Sequence, residues 1–401
     1  MSGLGYLHGI ESLLNIKGGR PVQTLPSSIV ARVGTAPDAD NNKFPLNEPI
    51  AMIGDGSLLE DLGTTGTLPD AYSQQFKEHG STTSVMIRVE EGADFDATLA
   101  NIIGTAGAQT GIHALRAAQS ETGLVPRIFD VPGFTSQRVA NSRNPVVAEL
   151  MGFATRNRGW IIADGPNTTK EDAVQYAQDW GSPRVFVVDP GVKIRLNGLD
   201  VVRPASPSVT GLMCRVDQEK GFHHSISNHE LFGITGTARP IEFLMGERNC
   251  EANYLNEHRV ATIIRDGGYK LWGNESTSSE PLTKFLAVQR TQDLVMDSVA
   301  AAHKWAIDKP FSVQAILDIA ETVNGYLRQL KARGVTLGGK VWIDPTLNTK
   351  ESWVNGDLFV SYDAEPPAPM QHIIFQFNRN TGYYAELADD AVAEVARLSN
   401  Q

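Results

Sequence analysis

The chain has 401 residues, of which 41% are hydrophobic and 20% are charged, and its formal net charge is −11. A single core rarely grows past roughly 250 residues, so this length predicts two or three domains. Nucleic-acid binders need a basic face that displaces counterions, and the sequence has no basic run, so we expect no nucleic-acid partner. No window approaches the roughly 20 apolar residues of a membrane span, so we expect no membrane insertion.

The two cysteines, Cys214 and Cys250, are far apart and form no C-x-x-C motif. Their spacing favours two reduced thiols, and a single disulfide stays the alternative. The opening residues, MSGLGYLHGIESLL, lack the basic n-region and unbroken apolar core of a signal peptide. We therefore expect the protein to be made and kept in a reducing, aqueous compartment.

The first two segments are predicted to be extended or β-rich. Residues 1–34 form an arm that leads into a first strand, LPSSIVARVGTA. In this arm three apolar residues share one parity before a glycine pair interrupts them: Ile10, Leu14 and Ile16, then Gly18 and Gly19. Residues 35–95 hold short apolar runs, PIAMIG and SVMIRVE, between Pro, Gly and Asn, which predicts a small β-rich unit.

Residues 96–280 alternate between strand and helix patterns. The runs RIFDVPG, GWIIADGP and RVFVVDPG are typical of buried strands, and PVVAELMGFATRN (145–157) and TTKEDAVQYAQDWG are typical of helices. In the second helix Thr168 and Glu171 have capping-box spacing. Strand and helix alternating at this spacing predict right-handed crossovers and a parallel α/β sheet.

The C-terminal third, residues 281–369, reads as α+β. Two amphipathic helices are predicted over 284–308 and 312–334, with Ser312 as an N-cap, and the runs KVWIDP and DLFVSYDA follow as strands. After the stiff AEPPAP segment, residues 370–401 contain a last strand, MQHIIFQFN, then TGYYAEL beyond an N-T-G turn and a short helical tail. The fold prediction is thus α/β plus α+β, with a β-rich N-terminal unit, a central parallel-sheet domain, and extended arms at both ends.

The stretch GFHHSISNHE, residues 221–230, suggests a metal site. His223 and His224 are adjacent, however, so on a strand they point to opposite faces, and Gly, Ser and Asn disfavour the helix that would pair two histidines. A turn-rich surface loop is the favoured interpretation. The phosphate-binding GxxxxGK[ST] loop, a GxGxxG turn after a strand and the G-x-S-x-G elbow are all missing, so we expect no cofactor.

The strand-end aspartates are the best enzymatic lead. Asp130, Asp164 and Asp189 each end a predicted parallel strand, where ligands bind in open α/β sheets. Such carboxylates can hold Mg²⁺ or act as a base, which gives a Mg-dependent hydrolase or phosphatase as the alternative function. Each is followed by turn residues, and an aspartate in a turn commonly bonds the local backbone. The structural interpretation is therefore favoured.

The last predicted strand indicates association with other chains. Ile373, Phe375 and Phe377 share one face of MQHIIFQFN, and Ile374 lies on the other. Terminal strands are usually edges, and an uncovered apolar edge invites pairing with another chain. A hairpin packed on its own domain stays an equal alternative from this pattern.

Several stretches resemble the contractile-tail sheath family of myophages and R-type bacteriocins. They are RPASPSVTGLMCRVDQEKGFHHSISNHELFGITG (203–236), NYLNEHRVATIIRDGGYKLWGNEST (253–277), YLHGIES, PSSIVARVGTA and RTQDLVMDSVAAAHKWAID. They occur in the family's order along nearly the whole chain. One departure is that Glu275 stands where the family's W-G-x-R-T motif has arginine. The histidine loop matches the family's G…S-x-S-N segment, which has no metal role.

The resemblance implies a structural protein and no enzyme. It implies a subtilisin-like fold for the central domain, and arms whose strands join those of neighbouring subunits in a shared sheet, with Ile10, Leu14, Ile16, Ile373, Phe375 and Phe377 as the inter-subunit strand residues. The arms would swivel at hinge residues Gly18, Gly19, Pro366 and Pro367.

The resemblance also implies the partners. Many copies would form a helical sheath around an inner tail tube protein, between baseplate and tail terminator proteins, and the sheath would contract from a metastable extended state. The chain would be made in the bacterial cytoplasm and assembled into a virion tail or phage-tail-like particle. Residues from about 281 onward, with the N-terminal arm, would form an inner domain that faces the tube, with candidate contacts Lys284, Arg290, Asp293, Asp297 and Lys304.

Overall fold

The computed structural model describes residues 21–54, 58–80, 82–196 and 198–399. The arm residues Ile10, Leu14, Ile16, Gly18 and Gly19 lie outside these ranges. The chain divides between Ala368 and Pro369 into a body and a C-terminal segment.

The elements follow the chain in this order. The strands are β1 (Ile29–Thr35), β2 (Pro49–Gly54), β3 (Thr82–Val89), β4 (Ile128–Asp130), β5 (Trp160–Asp164), β6 (Val185–Val188), β7 (Val192–Leu196), β8 (Leu199–Arg203), β9 (His229–Glu230), β10 (Ile234–Thr237), β11 (Val260–Arg265), β12 (Tyr269–Trp272), β13 (Gly339–Trp342) and β14 (Ser361–Ala364). The helices are α1 (Leu59–Leu62), α2 (Thr67–His79), α3 (Phe95–Ile103), α4 (Ala118–Thr122), α5 (Pro145–Arg156), α6 (Lys170–Gln178), α7 (Ser206–Glu219), α8 (Glu251–Glu257), α9 (Leu286–Ala302), α10 (Val313–Ala332), α11 (Lys350–Val354) and α12 (Tyr383–Ser399).

The main sheet has nine strands in the order β2-β3-β1-β4-β5-β6-β11-β12-β9. Its centre, from β3 to β11, is parallel, and β2, β12 and β9 pair antiparallel at the two ends. The predicted parallel α/β sheet is confirmed. A separate antiparallel sheet, β10-β7-β8, accompanies it.

The main sheet is buried on both faces, because the side chains along each strand point alternately toward two layers of helices. Val33, Phe129 and Ile161 share one core with α3, α5 and α6. Ile128 and Trp160 point to the opposite face and share a core with α7. Strands covered on both sides read as continuous apolar runs, which is the pattern of β4, β5 and β6.

The segment 35–95 is not a separate β-rich unit. Its strands β2 and β3 belong to the main sheet, where β3 pairs with β1 along seven residues, and α2 lies between them in the chain. The reason is that β1 and β3 are parallel, so a helical crossover must connect them. The strand β1 likewise belongs to this sheet, whereas Val22 before it packs with the C-terminal domain.

Helix boundaries follow local capping. Asn144 caps α5 and Ser312 caps α10, the latter by accepting a hydrogen bond from the Ala315 N–H at 3.1 Å. The cap of α6 is Thr169, which accepts from Asp172 N–H, so the predicted Thr168–Glu171 capping box is displaced by one residue.

A smaller α+β domain is formed by α9, α10, α11 and the antiparallel strand pair β13–β14, with α11 between the two strands in the chain. Its core joins Leu294 and Val295 of α9 to Tyr326, Leu327 and Leu330 of α10. The helix predicted over 284–308 ends at Ala302 and is followed by a 3-10 turn, Lys304–Ala306. This part of the chain contains both helices and strands, as its sequence pattern predicts.

The C-terminal segment differs from its prediction. No strand is assigned over 370–380, because a strand needs a ladder partner and this part of the described chain has none. The TGYYAEL run begins α12 instead of continuing a strand. Gly382 N–H donates to Asn380 Oδ1 at 2.9 Å in the preceding turn, and the Ala-, Glu- and Leu-rich sequence after it favours a helix.

Among the helices of the described ranges, none combines the length and apolarity needed to cross a membrane. Cys214 and Cys250 are both buried free thiols.

Candidate assembly surfaces

The histidine loop is held by local contacts. The His223 and His224 rings lie 4.3 Å apart, and His223 packs edge-on against Phe222. His229 Nε2 lies 2.7 Å from Lys220 Nζ. Burial lowers the pKa of both His223 and His229. Within the described ranges no group of three His, Cys, Asp or Glu side chains is placed to hold a metal ion.

Two of the strand-end aspartates are engaged in buried charge pairs. Asp130 accepts two hydrogen bonds from Arg32, at 2.8 and 2.6 Å, and neither side chain is exposed. Asp189 accepts from Arg239 and, at 2.8 Å, from Asn167 N–H. Burial raises the pKa of Asp189, and Arg239 opposes that shift.

The third, Asp164, is held by neutral donors. It accepts from Ser206 N–H at 2.8 Å, from Ser206 Oγ at 2.7 Å and from Thr135 Oγ1 at 3.2 Å. Burial raises its pKa to about 6. All three carboxylates are thus occupied by the chain itself and do not converge on a common ligand position.

Helix α9 carries three of the five residues predicted to face a tube, Arg290, Asp293 and Asp297, and the first two are buried. Arg290 donates to both carboxylate oxygens of Asp217 in α7, at 3.0 and 2.5 Å, and these side chains are only 2% and 3% exposed. Asp293 is 1% exposed and accepts two hydrogen bonds from Arg184, just before β6. The expectation that Arg290 and Asp293 face a tube is corrected, because both are used to join the two domains.

A third ion pair extends this contact along α9. Asp297 pairs with Arg127 at 2.6 Å and also with Arg158, and both arginines belong to the main-sheet domain. We call the set formed by the Arg290, Asp293 and Asp297 pairs the α9 seam. Its charges are spaced three and four residues apart, so they share one side of the helix. The α9 seam fixes the α+β domain to the main-sheet domain.

Lys284 and Lys304, the other two candidates, lie at opposite ends of α9. Lys284 donates to Glu275 at 2.7 Å. Glu275 is the acid that replaces the arginine of the sheath motif, and its charge is therefore balanced within the chain. Lys304 is exposed in the 3-10 turn after α9.

The strands β13 and β14 border an uncovered groove. They form a two-stranded sheet that packs on the core of α9 and α10 through Val341, Tyr362 and Ala364. A groove of about 580 Å³ lies between α9, at residues 292–296, and the chain from Val360 to Pro366. We call it the β14 groove. Pro366, predicted as a hinge, is buried and lines it, and Pro367 follows at partial exposure.

The C-terminal segment exposes its apolar residues. Ile373 is 59% exposed, Phe375 91% and Phe377 88%. Large exposed apolar patches on soluble chains usually mark interaction sites. The described chain thus leaves one apolar segment uncovered at its C-terminal side while its strand-end carboxylates are occupied.

Comparison with known proteins gives the family. Residues 107–277 match the family model of the phage tail sheath protein central domain, and residues 278–379 match that of the phage tail sheath C-terminal domain. The chain is 34% identical to the putative prophage major tail sheath protein of Pseudomonas aeruginosa (strain UCBPP-PA14), covering 98% of this chain and 99% of that one. It is 33% identical to the tail sheath protein of Escherichia phage P2, covering 95% and 98%. The chain belongs to the phage tail sheath protein family.

Solved structures show the same fold. The helical sheath of the anti-feeding prophage in its contracted state matches with a TM-score of 0.70 at 18% identity, covering 94% of this chain and 100% of that one. The sheath complex of the PVC extracellular contractile injection system, also contracted, matches with a TM-score of 0.69 at 16% identity, covering 96% and 100%. The predicted function is confirmed: the chain is a structural subunit of a contractile tail sheath, a component of a virion or phage-tail-like particle. It is not an enzyme, and the hydrolase alternative is set aside.

Proposed function

We propose that many copies of this chain polymerise helically around an inner tail tube by exchanging terminal strands, and that the sheath contracts from a metastable extended state. The observation that carries the proposal is the pair formed by an uncovered strand sequence and an uncovered sheet edge. Residues 372–377 alternate like a strand and have no partner in the described chain. The β14 groove offers a sheet edge to such a strand.

Strand exchange would keep neighbouring subunits connected while the sheath shortens. A guest strand on β14 would add ladder hydrogen bonds, each worth a net of about 0.5–1.5 kcal/mol. Its apolar side chains would cover Met296 of α9, which is 37% exposed in the groove. Head-to-tail contacts of this kind do not close into a ring and so generate a helix.

The body then moves as a unit while the arms bend. The α9 seam supports this, because separating the two domains would leave buried charges such as Arg290 and Asp293 without partners. We place the swivels in the arms, at Gly18 and Gly19 and at the prolines after β14. The burial of Pro366 favours Pro367 and the residues after it as the bending point.

The remaining partners follow from the same arrangement. Lys304 is the tube-contact candidate whose side chain is exposed, and we retain it in that role. Baseplate and tail terminator proteins would cap the two ends of the polymer. Synthesis would take place in the bacterial cytoplasm.

The test compares the full chain with a chain that ends at residue 369. We expect striated tubes of the full chain in negative-stain electron micrographs, with the inner tube protein added as template. The shortened chain should stay a folded monomer by circular dichroism and sedimentation. Phe375→Asp should also block assembly, whereas Gln376→Asp on the other strand face is the matched control. Full-length sheaths from the shortened chain would refute strand exchange.

A further inference from the structure

Helix α12 is amphipathic and entirely uncovered. One side of its 17 residues carries an apolar stripe, made of Tyr384, Leu387, Ala388, Ala391, Val395 and Leu398. No residue of α12 is buried, and the large apolar side chains of the stripe are 61–66% exposed. An isolated helix of this length is marginal in water, so the stripe calls for a partner surface. The match to the phage tail sheath C-terminal domain model ends at residue 379, before α12 begins.

The body contains an uncovered apolar groove of about 790 Å³. Its floor is Ala315, Ile316 and Ile319 of α10, and its wall includes the rings of Phe311 and Trp353, stacked with centroids 5.7 Å apart. Both rings remain about two-fifths exposed, at 42% and 40%. We call it the Trp353 groove. Rings in this position offer an apolar surface for the side chains of a guest helix.

The Trp353 groove and the β14 groove are lined by neighbouring stretches of the chain. Both are bordered by the same two stretches of chain, since one includes Met296 and Val360 and the other includes His303 and Leu358. The seven steps from Met296 to His303 span about 10 Å along a helix. A guest strand that runs antiparallel to β14 in the first groove therefore points its following residues toward the second.

The connection within the guest has the required length. Five residues, 378–382, separate Phe377, at the end of the strand sequence, from Tyr383, at the start of α12. Extended, the six steps from Phe377 to Tyr383 reach at most about 20 Å, which exceeds the offset of about 10 Å along α9. The polar side of α12 has four carboxylates, Glu386, Asp389, Asp390 and Glu394, against one guanidinium, Arg397. The Trp353 groove itself is lined by one cation and one acid, Lys309 and Asp308, so the apolar contacts and not the charges select the guest.

We propose that α12 of one copy docks in the Trp353 groove of a second copy, whose β14 pairs antiparallel with the guest's residues 372–377. The inference rests on the proposed strand exchange and extends it. The guest strand supplies backbone hydrogen bonds to β14, and the guest helix stabilises this pairing by filling the Trp353 groove. Docking of the helix also fixes the direction of the guest strand, which the strand sequence alone leaves open.

The first test uses two alanines of α12 that differ only in the face they occupy. Ala391 lies in the apolar stripe, and Ala393 lies on the opposite side of the helix. Ala391→Asp should reduce the polymerised fraction at matched protein concentration by about tenfold or more, because docking would bury an unpaired carboxylate. Ala393→Asp should polymerise like the parent chain. Equal polymerisation of both variants would overturn the proposal.

The second test identifies the occupant of the groove. Chains with Ala391→Cys and chains with Ala315→Cys, carrying tags of different size, are mixed, polymerised and oxidised, and Ala393→Cys replaces Ala391→Cys as the control. A covalent heterodimer with Ala391→Cys and none with Ala393→Cys supports docking between copies. A chain carrying both Ala315→Cys and Ala391→Cys that forms only an internal link, or no link in either design, overturns it.

The two proposals can fail separately. If the chain ending at residue 369 does not polymerise while Ala391→Asp does so normally, strand exchange stands and helix docking falls. If the shortened chain polymerises fully, strand exchange falls as well.

Discussion

Replacing Arg290 with methionine removes the most buried charge pair of the α9 seam. The guanidinium spans both oxygens of Asp217, which also accepts from the Ser27 and Ser28 hydroxyls at 2.6 and 2.8 Å. Methionine keeps an unbranched apolar stem of similar length, so the packing loss is small. The carboxylate, 3% exposed, is left with two neutral donors.

The expected loss follows from that geometry. Removing one partner of a buried ion pair costs about 3–5 kcal/mol, because the other charge stays desolvated. The two serine donors place Arg290→Met near the lower end, at about 3 kcal/mol. Since whole-domain stabilities are about 5–15 kcal/mol, this loss is large. Urea denaturation should show this loss of stability as a lower midpoint of the unfolding transition.

A second substitution separates the effect of the unpaired charge from the effect of the lost packing. Adding Asp217→Asn to Arg290→Met removes the unpaired charge, so the double variant should recover most of the lost stability. Lys340→Met is the control, because the Lys340–Asp363 pair is 3.9 Å long and largely exposed, and it should have no resolvable effect. A loss below about 1 kcal/mol in Arg290→Met, or a double variant no more stable than the single one, would refute this account of the α9 seam.

Three further predictions concern single sites. Because the pKa of Asp164 is about 6 when folded and 3.8 as a free side chain, the folded state binds its proton first, and stability should rise by about 2 kcal/mol between pH 7 and pH 4. Denaturation against pH should show that gain in the parent and not in Asp164→Asn; equal slopes would contradict it. Gly104→Ala should lower the thermal midpoint far more than Gly123→Ala, since both have positive φ but only at Gly104 would a Cβ meet backbone, at 2.1 Å. Cys214, whose pKa is raised to about 12 by burial, and the buried Cys250 should resist a thiol reagent until urea unfolds the chain, and native labelling would contradict their placement.

The sequence alone determined the features that depend on neighbouring residues. The helix predicted over 145–157 is α5, Ser312 caps α10 as expected, and the three apolar runs of the middle third are adjacent parallel strands. Periodicity and capping depend on residues close in the chain, so a single sequence is enough to predict them. The family resemblance likewise rested on motifs in a fixed order, and it led to the correct function.

Only the tertiary structure decided which elements meet. It placed residues 35–95 in the main sheet, because β1 lies between β3 and β4 and such an order depends on crossovers that no local pattern specifies. It buried Arg290 and Asp293, whose helical spacing fits a solvated face equally well. Their partners, Asp217 and Arg184, are 73 and 109 residues away, and only folding brings the opposite charges together and makes burial affordable.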